Sequence, residues 1–276
     1  MDLKQIARKA RRLARPEILS ESQMLFDTLA PGGPGVLVDV GAHVGGSLRP
    51  FAQAGWTVLG FEPDEVNREQ LRRGVGALPN VRIDPRAVTV RAGETLPFYR
   101  SSESTGISTL TPFVESHVEA GSVTSTTLAD ARAEYGIEAI DLLKVDTEGY
   151  DLMVLRSLDW EAIRPRVVLC EFEDRKTVPL GYTWGDMAGF LVGHGYTVVV
   201  AEWYPVQRYG AAHRFRRFAD YPCELADPAA TGNLLAFREP RDLARFAEIR
   251  RRYLRWISLP MPLSRTARRI AVALGR

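Results

Sequence analysis

The 276-residue sequence is poor in cysteine. Its two cysteines, Cys170 and Cys223, cannot form the disulfide framework that stabilises small secreted domains. Cys170 lies inside an apolar run, which predicts a buried core thiol rather than a nucleophile. The sequence also lacks an apolar run approaching the roughly 18 to 20 residues that a membrane-spanning helix needs. Because no apolar stretch follows the basic residues 1–16, we expect no secretory signal and a cytoplasmic location.

Histidine is scarce as well, and this argues against a histidine metal site. Of the four histidines, His117, His194 and His213 stand singly, without the spacing of metal ligands. No nucleic-acid-binding motif is present, so nucleic acid is not an expected partner. Hydrophobic residues make up 45% of the chain and charged residues 25%, the balance of a globular protein with a substantial core. The length suits one large α/β domain with helical additions.

Charge is distributed unevenly along the chain. Residues 1–16 carry a net charge of +5 and residues 241–276 a net charge of +8, which leaves −11 for residues 17–240. The basic ends either contact an anionic membrane surface or form the solvated faces of helices docked on the body or on a second subunit of a homo-oligomer. We therefore expect a helical extension over 1–34, a main domain over 35–240 and a basic helical tail after it.

Short apolar runs alternate with helical periodicity in the first part of the main domain. The apolar runs predict strands at 36–40, 57–61 and 81–84, separated by helices over 47–54 and 65–73. Strand, helix, strand, helix, strand in close succession predicts a parallel, doubly wound α/β sheet.

The middle of the chain is less regular. Residues 87–90 and 96–100 are expected to pair as a hairpin. The other expected elements are strands at 123–127, 141–146, 166–172, 196–203 and 234–237, helices at 3–13, 20–29, 128–135, 150–158 and 184–193, and helices after 241 that break at Pro260 and Pro262.

A glycine-rich turn at 41–46 follows the first strand, whose carboxyl end carries Asp39. Glycine lets the backbone turn sharply and lets a ligand approach closely. Ligands of open α/β sheets bind at the carboxyl ends of the strands. Glu62 ends the second strand, where an acid can accept hydrogen bonds from a ribose. The sequence therefore predicts a nucleoside-containing cofactor at this edge of the sheet.

Two classes of cofactor suit such a turn. A dinucleotide needs the pattern G-x-G-x-x-G, and the second glycine is missing because Gly41 is followed by Ala42 and His43. S-adenosylmethionine has no phosphate, and Asp39 suits a ligand with an amino group, so we expect an enzyme that uses this cofactor as a methyl donor. The alternative enzyme is a nucleotide-dependent oxidoreductase or epimerase. A non-catalytic, methyltransferase-like module at a membrane surface is the alternative of another class.

A second acidic cluster lies at 141–150. Strand alternation sends Lys144 and Asp146 to one face, with Asp146 at the carboxyl end beside the predicted cleft. Glu148 follows where the chain turns into a helix. A role in capping the following helix would explain the presence of Asp151 well. It explains Asp146 less well, because this residue lies at the carboxyl end of the strand.

Four segments resemble the FkbM-type family of S-adenosylmethionine-dependent methyltransferases: VLVDVGAHVGG, GFEPD, TTLADARAEYGIEAIDLLKVDTEGYDLMVLRSL and VVLCEFE. The resemblance covers about residues 35–203, with a closing strand near 237. It implies a Rossmann-like, seven-stranded class I methyltransferase sheet with helices on both faces. It also implies O-methylation of a sugar, a glycolipid or a polyketide-type metabolite.

The resemblance further implies which residues hold the cofactor. In this family the first turn holds the methionine part, the second strand end the ribose and the third the adenine. The corresponding residues are Asp39, Gly41, Ala42, His43 and Gly45 for the turn, Glu62 and Pro63 for the ribose, and Asp84 to Ala87 for the adenine, with Asp146 beside them. The chain departs from the family at His43, where asparagine is expected.

Methyl transfer is an in-line displacement that requires alignment of oxygen, carbon and sulfur. A hydroxyl is a poor nucleophile, so a positioned base should take its proton. We expect Asp146 to be this base, or to orient the cofactor amine while Glu148 or Glu171 takes the proton. His43 is a further candidate because histidine titrates near neutrality. Lys144 either stabilises the developing alkoxide or pairs with Asp146.

Three features of the sequence leave alternatives open. The segment 204–221, rich in arginine and aromatic residues, either covers the acceptor or forms a solvated loop. The residues 250–257 suit an interfacial helix near anionic lipid. No metal is expected, and Mg²⁺ is the alternative because oxygen ligands are available at Asp146, Glu148, Glu171, Glu173 and Asp174.

Overall fold

The computed structural model describes residues 20–211 and 213–257, and the side chains up to residue 255. The strands are β1 Val36–Val40, β2 Thr57–Phe61, β3 Val81–Asp84, β4 Ala87–Val88, β5 Thr95–Ser101, β6 His117–Thr126, β7 Leu142–Val145, β8 Val167–Glu173, β9 Thr197–Trp203, β10 Phe215–Asp220 and β11 Thr231–Phe237. The α-helices are α1 Glu21–Leu29, α2 Arg49–Gln53, α3 Glu65–Val75, α4 Leu128–Tyr135, α5 Asp151–Arg156, α6 Asp174–Thr177, α7 Trp184–Gly193 and α8 Pro240–Ile257. The helix expected over 3–13 and the breaks expected at Pro260 and Pro262 lie outside the described residues.

Eight strands form the main sheet in the order β10-β9-β11-β8-β7-β1-β2-β3. Strands β1, β2, β3, β7 and β8 pair in parallel, while β11 runs antiparallel between β8 and β9. Helices connect the parallel strands, as crossover connections require. The α/β fold with a Rossmann-like class I methyltransferase sheet is therefore confirmed.

Strand β10 adds an eighth member at the edge of the seven expected strands. It lies inside the segment 204–221 and pairs antiparallel with β9. Phe215 and Phe218 are partly buried and pack against the core, and the two arginines between them are partly buried as well. This segment offers no apolar run, which is why the sequence predicted an insertion there rather than a strand.

The hairpin expected between 87–90 and 96–100 is wrong. Both segments pair instead with the ten-residue strand β6, β4 in parallel and β5 antiparallel. Most of β6 is exposed, so its sequence lacks the apolar alternation that marks a half-buried strand. The three strands form a separate small sheet beside the carboxyl ends of β2 and β3.

Helices α1 and α8 of the two chain ends pack together against one face of the main sheet. Met24 and Leu25 of α1 and Phe246 of α8 are fully buried in this layer. The Tyr253 hydroxyl donates a hydrogen bond of 2.9 Å to the Asp27 carboxylate, which joins the two helices. None of the helices in the described part of the chain combines the length and the apolarity that crossing a bilayer requires.

Gly41 brings the ends of β1 and β7 together. Its φ of +81° lies in the left-handed region. A Cβ atom at this position would lie 1.8 Å from the carbonyl oxygen of Asp146. Only glycine allows this approach, so the turn after β1 and the acidic segment after β7 meet at one point of the sheet edge.

Candidate active site

A cleft runs along the carboxyl ends of β1, β2 and β7 and has a cavity volume of about 190 Å³. The apolar side chains that line it are Phe61, Ala87, Val88, Phe98 and Leu110. Its polar lining includes His43, Glu62, Asp146, Glu148 and Glu171. We call this space the first cleft.

Glu62 is buried at the tip of β2 and faces the first cleft. One carboxylate oxygen accepts a 2.7 Å hydrogen bond from the His43 amide, and the other accepts one of 2.8 Å from the Asp64 amide. Burial raises the pKa of Glu62 to about 7, although these two bonds act in the opposite direction. Near neutral pH this carboxyl can therefore both accept and donate hydrogen bonds, as two vicinal ribose hydroxyls require.

His43 occupies the glycine turn in a left-handed conformation, with a φ of +49°. Asparagine and histidine tolerate this region better than most residues do, which explains a histidine where the family pattern has asparagine. Its ring nitrogen Nε2 lies 3.1 Å from the Thr105 hydroxyl, and partial burial lowers its pKa. His43 thus lines the cleft as a neutral imidazole.

A buried ion-pair network lies behind the glycine turn. The Lys144 ammonium is 3.1 Å from the Asp39 carboxylate and 3.2 Å from that of Asp146, and Ser47 donates a 2.7 Å hydrogen bond to Asp39. Burial alone would lower the pKa of Lys144, but the two carboxylates raise it, so the ammonium stays charged. Asp39 is 0% exposed, with a pKa raised by burial, and holds the turn from behind rather than lining the cleft.

Asp84 also lies behind the cleft wall. Its carboxylate accepts hydrogen bonds from the Arg86 guanidinium and a 3.1 Å bond from the Tyr135 hydroxyl. Arg86, Ala87 and Val88 line the first cleft in its place. The segment expected to border adenine is 84–87. Arg86 and Ala87 of this segment line the cleft, whereas Asp84 lies behind them and binds the Arg86 guanidinium.

Three glutamates surround a second buried lysine, Lys176. Its ammonium lies 2.6 Å from Glu148, 2.9 Å from Glu171 and 3.0 Å from Glu173. Burial raises the pKa of Glu148 to about 7 and that of Glu171 well above its usual range, while Lys176 acts against both shifts. Glu148 also has a φ of +56°, a strained conformation of the kind that occurs at functional sites.

The Mg²⁺ alternative is not supported. Carboxylate oxygens of Asp146, Glu148 and Glu171 lie within 4.8 Å of one another, as a metal site would require. However, Lys144 neutralises the first of them and Lys176 the other two, so the cluster already holds its own cations. Of the two remaining expected ligands, Glu173 is also paired with Lys176, and Asp174 accepts a 2.7 Å hydrogen bond from the Trp184 amide at the start of α7.

The structure thus brings together Gly41, His43, Glu62, Asp146, Glu148 and Glu171 around one cleft. Sequence reasoning missed Lys176. The pattern of β8, in which Glu171 and Glu173 share a face and a lysine follows three residues later, was the available signal for Lys176.

Buried carboxyls predict an unusual dependence of stability on pH. Burial raises the pKa of Glu21, Glu62 and Glu148 to about 7 and that of Asp151 to about 6. The folded chain therefore holds protons that the unfolded chain releases near pH 4, and the stabilisation is lost as the pH rises through 6 to 7. We expect the free energy of unfolding to fall between pH 5 and pH 8, by roughly 2–3 kcal/mol for each carboxyl whose pKa is near 7, because each pH unit is worth about 1.4 kcal/mol per proton.

Urea denaturation at pH 5, 6, 7 and 8 measures this dependence. A Glu21→Gln variant, which removes one of the titrating carboxyls, should show a shallower fall than the wild type. A free energy of unfolding that is constant or rises over this range would contradict the expected burial of these groups.

Comparison with known proteins gives a family for the chain. A family model described as the methyltransferase FkbM domain matches residues 39–198. Methyltransferase sdnD of Sordaria araneosa is 34% identical in an alignment of 176 residues that covers 50% of this chain and 66% of that protein, just under two thirds. The 31-O-demethyl-FK506 methyltransferase FkbM of Streptomyces tacrolimicus is 31% identical in an alignment of 210 residues that covers 63% of this chain and 76% of that protein.

Solved structures with similar backbones are more distant in sequence. Precorrin-6y C5,15-methyltransferase from Geobacter metallireducens aligns with a TM-score of 0.43 and 10% identity, over 78% of this chain and 86% of that one. A SAM-dependent methyltransferase from Agrobacterium tumefaciens aligns with a TM-score of 0.42 and 9% identity, over 80% of this chain and 64% of that one.

Proposed function

The chain belongs to the FkbM methyltransferase family, and we propose that it transfers the methyl group of S-adenosylmethionine to a hydroxyl of a sugar, a glycolipid or a related secondary metabolite. The observation that carries this proposal is the position of Asp146. This carboxylate lies in the first cleft beside Gly41, next to Glu148 and Glu171, where a proton acceptor for a hydroxyl is needed.

The residues of the first cleft fit the proposed cofactor. Glu62, held by two backbone amides, presents its carboxyl to a ribose. Ala87, Val88 and Phe98 offer an apolar wall for a planar base. Because Gly41 has no Cβ atom, the turn after β1 can lie against the backbone of Asp146 at the point where the methionine part would bind. Once bound, S-adenosylmethionine supplies an electrophilic methyl group.

The chain's own groups can manage the proton of the acceptor hydroxyl. Asp146 is 38% exposed and paired on one side with Lys144, so its other oxygen remains available to the cleft. Glu148, with a pKa of about 7, lies next to it and can pass a proton towards solvent. The neighbouring ammonium of Lys144 stabilises negative charge that develops as the hydroxyl is activated.

An oxygen acceptor is also supported by one relative. The Streptomyces tacrolimicus protein, 31% identical to this chain, is named for a 31-O-demethylated substrate. We extend only the class of accepting atom to this chain. The acceptor itself is proposed from the cleft, which presents carboxylates suited to hydroxyl groups.

A labelled-methyl assay tests the proposal. Protein is incubated with S-adenosylmethionine that carries a tritiated methyl group and with an extract of neutral metabolites and lipids from the native cells. We expect label in a product that survives mild alkali, because methyl ethers are stable there and methyl esters release volatile methanol. Label released by alkali would contradict a hydroxyl acceptor. Cofactor binding without any transfer would favour a non-catalytic module.

The surface of α8 supports a proposed peripheral contact with the cytoplasmic face of a membrane. The apolar side of this helix is buried against the sheet, and its opposite side is exposed to solvent. Five exposed arginines lie on that outer side: Arg241, Arg245, Arg251, Arg252 and Arg255. Such a surface suits anionic lipid headgroups through charge rather than through insertion of an apolar face.

Co-sedimentation of the full chain with vesicles measures this contact. Vesicles containing phosphatidylserine should bind the wild type, and vesicles of neutral lipid should not. Replacing Arg245, Arg251 and Arg252 by glutamate should weaken binding by at least about 100-fold, at about 1 kcal/mol for each basic residue. Equal binding of the wild type and this variant would remove α8 as the contact surface.

A further inference from the structure

A second cleft meets the first one at Gly41, His43, Asp146 and Glu171 and has a cavity volume of about 510 Å³. Its far wall is built from the first turn of α1, the carboxyl end of β9 and the start of β11. Because β11 is antiparallel to its neighbours, its first residues reach the same sheet edge as the last residue of β9. The side chains of this wall include Ser20, Glu21, Ser22, Trp203 and Asn233.

The features that suit a nucleoside all lie in the first cleft. Glu62 and Pro63 line it at the end of β2, and Ala87, Val88 and Phe98 form its apolar wall. None of these residues lines the second cleft. A cofactor with its nucleoside in the first cleft therefore directs its reacting end to the junction, and the second cleft opens onto that end.

Glu21 is the most unusual side chain of the far wall. It is 6% exposed, and the Trp203 indole donates a 2.7 Å hydrogen bond to one of its oxygens. The Asn233 side chain also hydrogen-bonds it. Burial raises the pKa of Glu21 to about 7, and both bonds lower it. A buried carboxyl held by neutral donors at a cleft wall is equipped to exchange hydrogen bonds with a hydroxyl group.

The charges around the second cleft disfavour an anionic ligand. Among the described residues that line it, Lys144 is paired with Asp39 and Asp146. His213 has a pKa lowered by burial and adds no positive charge near neutrality. Glu171 is paired with Lys176, and Glu21 is a buried carboxyl with a raised pKa, so neither adds positive charge to the walls. A phosphate or carboxylate would thus meet no unpaired cation among these described residues, whereas a neutral hydroxyl would meet hydrogen-bond partners.

We propose that the second cleft is the acceptor site, that it takes a neutral glycosyl group, and that Glu21 hydrogen-bonds a hydroxyl of this group other than the one that is methylated. This assignment rests on the proposed function, because it needs the methyl donor in the first cleft. Glu21 acts in binding and positioning, since Asp146 and Glu171 lie at the junction and Glu21 on the far wall.

Three analogues of S-adenosylhomocysteine test the acceptor site by calorimetry on the full chain. In each analogue nitrogen replaces the sulfur and carries a propyl arm, which is bare, ends in a glucoside, or ends in a phosphate. The glucoside arm should tighten binding about tenfold over the bare arm, as one or two net hydrogen bonds would. The phosphate arm should give no gain.

Variants then locate the gain. Glu21→Ala should lose most of the tenfold gain while the affinity for S-adenosylhomocysteine itself changes by less than about twofold. Glu21→Gln, which keeps an oxygen for the Trp203 indole, should retain part of it. Asn233→Ala, on the same wall, should reduce the gain in affinity from the glucoside arm about threefold. This second variant still tests the proposal if Glu21→Ala fails to fold. Glu161→Gln, at a side chain that is 90% exposed, is the matched control.

The outcomes separate the two proposals. Tyr150 lines only the first cleft, at the end near Glu148. Loss of the gain in Tyr150→Phe instead of Glu21→Ala, or tighter binding of the phosphate arm, overturns the acceptor site. Uptake of S-adenosylhomocysteine without a gain from the glucoside also overturns the acceptor site alone. If the folded wild type binds none of the compounds, both the proposed function and the acceptor-site assignment are overturned.

Discussion

Replacing Asp146 by asparagine should slow methyl transfer by about 10²- to 10⁴-fold, the usual contribution of a positioned base. Asp146 and Glu171 are the two carboxylates that line both clefts, and Asp146 is the one in contact with the Gly41 turn. Asparagine keeps the size of the side chain and can still accept a hydrogen bond, but it cannot take a proton. Affinity for S-adenosylhomocysteine should change far less, because Glu62 and the apolar wall of the first cleft remain.

Glu148 and Glu171 are the competing bases, and a pH profile tests Glu148. If Glu148 took the proton, the rate would rise with pH through about 7, since burial raises its pKa to that value. Glu148→Gln would then abolish this rise and most of the rate. Glu161→Gln should behave as the wild type. A full rate in Asp146→Asn would exclude Asp146 as the base and leave the two glutamates.

Replacing Lys144 by methionine should reduce the free energy of unfolding by about 3–5 kcal/mol. The ammonium lies between Asp39 and Asp146, and Asp39 is 0% exposed. Methionine has a similar length and fills the space, so the loss comes from an unpaired charge rather than from a cavity. Without Lys144, Ser47 is the one side chain among the described residues that still donates a hydrogen bond to the Asp39 carboxylate.

Two further variants make this prediction specific to the buried charge. Adding Asp39→Asn to Lys144→Met should restore part of the lost stability, because it removes the uncompensated carboxylate. Arg73→Met breaks an ion pair with Glu69 in which the arginine is 74% exposed, and should change stability by less than about 1 kcal/mol. Urea denaturation gives all four values. An equally small loss for Lys144→Met would show that the network behind the turn is not a buried one.

The glycine turn and its acids could be predicted because their signals are local. Asp39 and Glu62 each end a short apolar strand, and Gly41 stands where the backbone must take a positive φ. Parallel strands place their carboxyl ends at one edge, so these residues could be brought together without knowledge of the packing. Their roles towards the cofactor stay predictions.

The contact between Lys176 and Glu148 and the far wall of the second cleft could not be predicted. Glu21 and Trp203 are 182 positions apart in the chain and meet only because α1 packs beside the carboxyl end of β9. Lys176 lies in α6, after β8, whereas Glu148, which it contacts, lies in the connection after β7. A single sequence contains no local pattern for such contacts, since they depend on how strands are ordered across the sheet.

Titration calorimetry of the folded wild type with S-adenosylhomocysteine, with NAD as the comparison, tests the central claim most directly. We predict uptake of one molecule of S-adenosylhomocysteine per chain and no uptake of NAD. Glu62→Ala should weaken this binding by at least about tenfold, because a buried carboxyl to ribose hydrogen bond is lost. Uptake of NAD in preference, or no uptake of S-adenosylhomocysteine by folded protein, would contradict the first cleft as the site of a methyl donor.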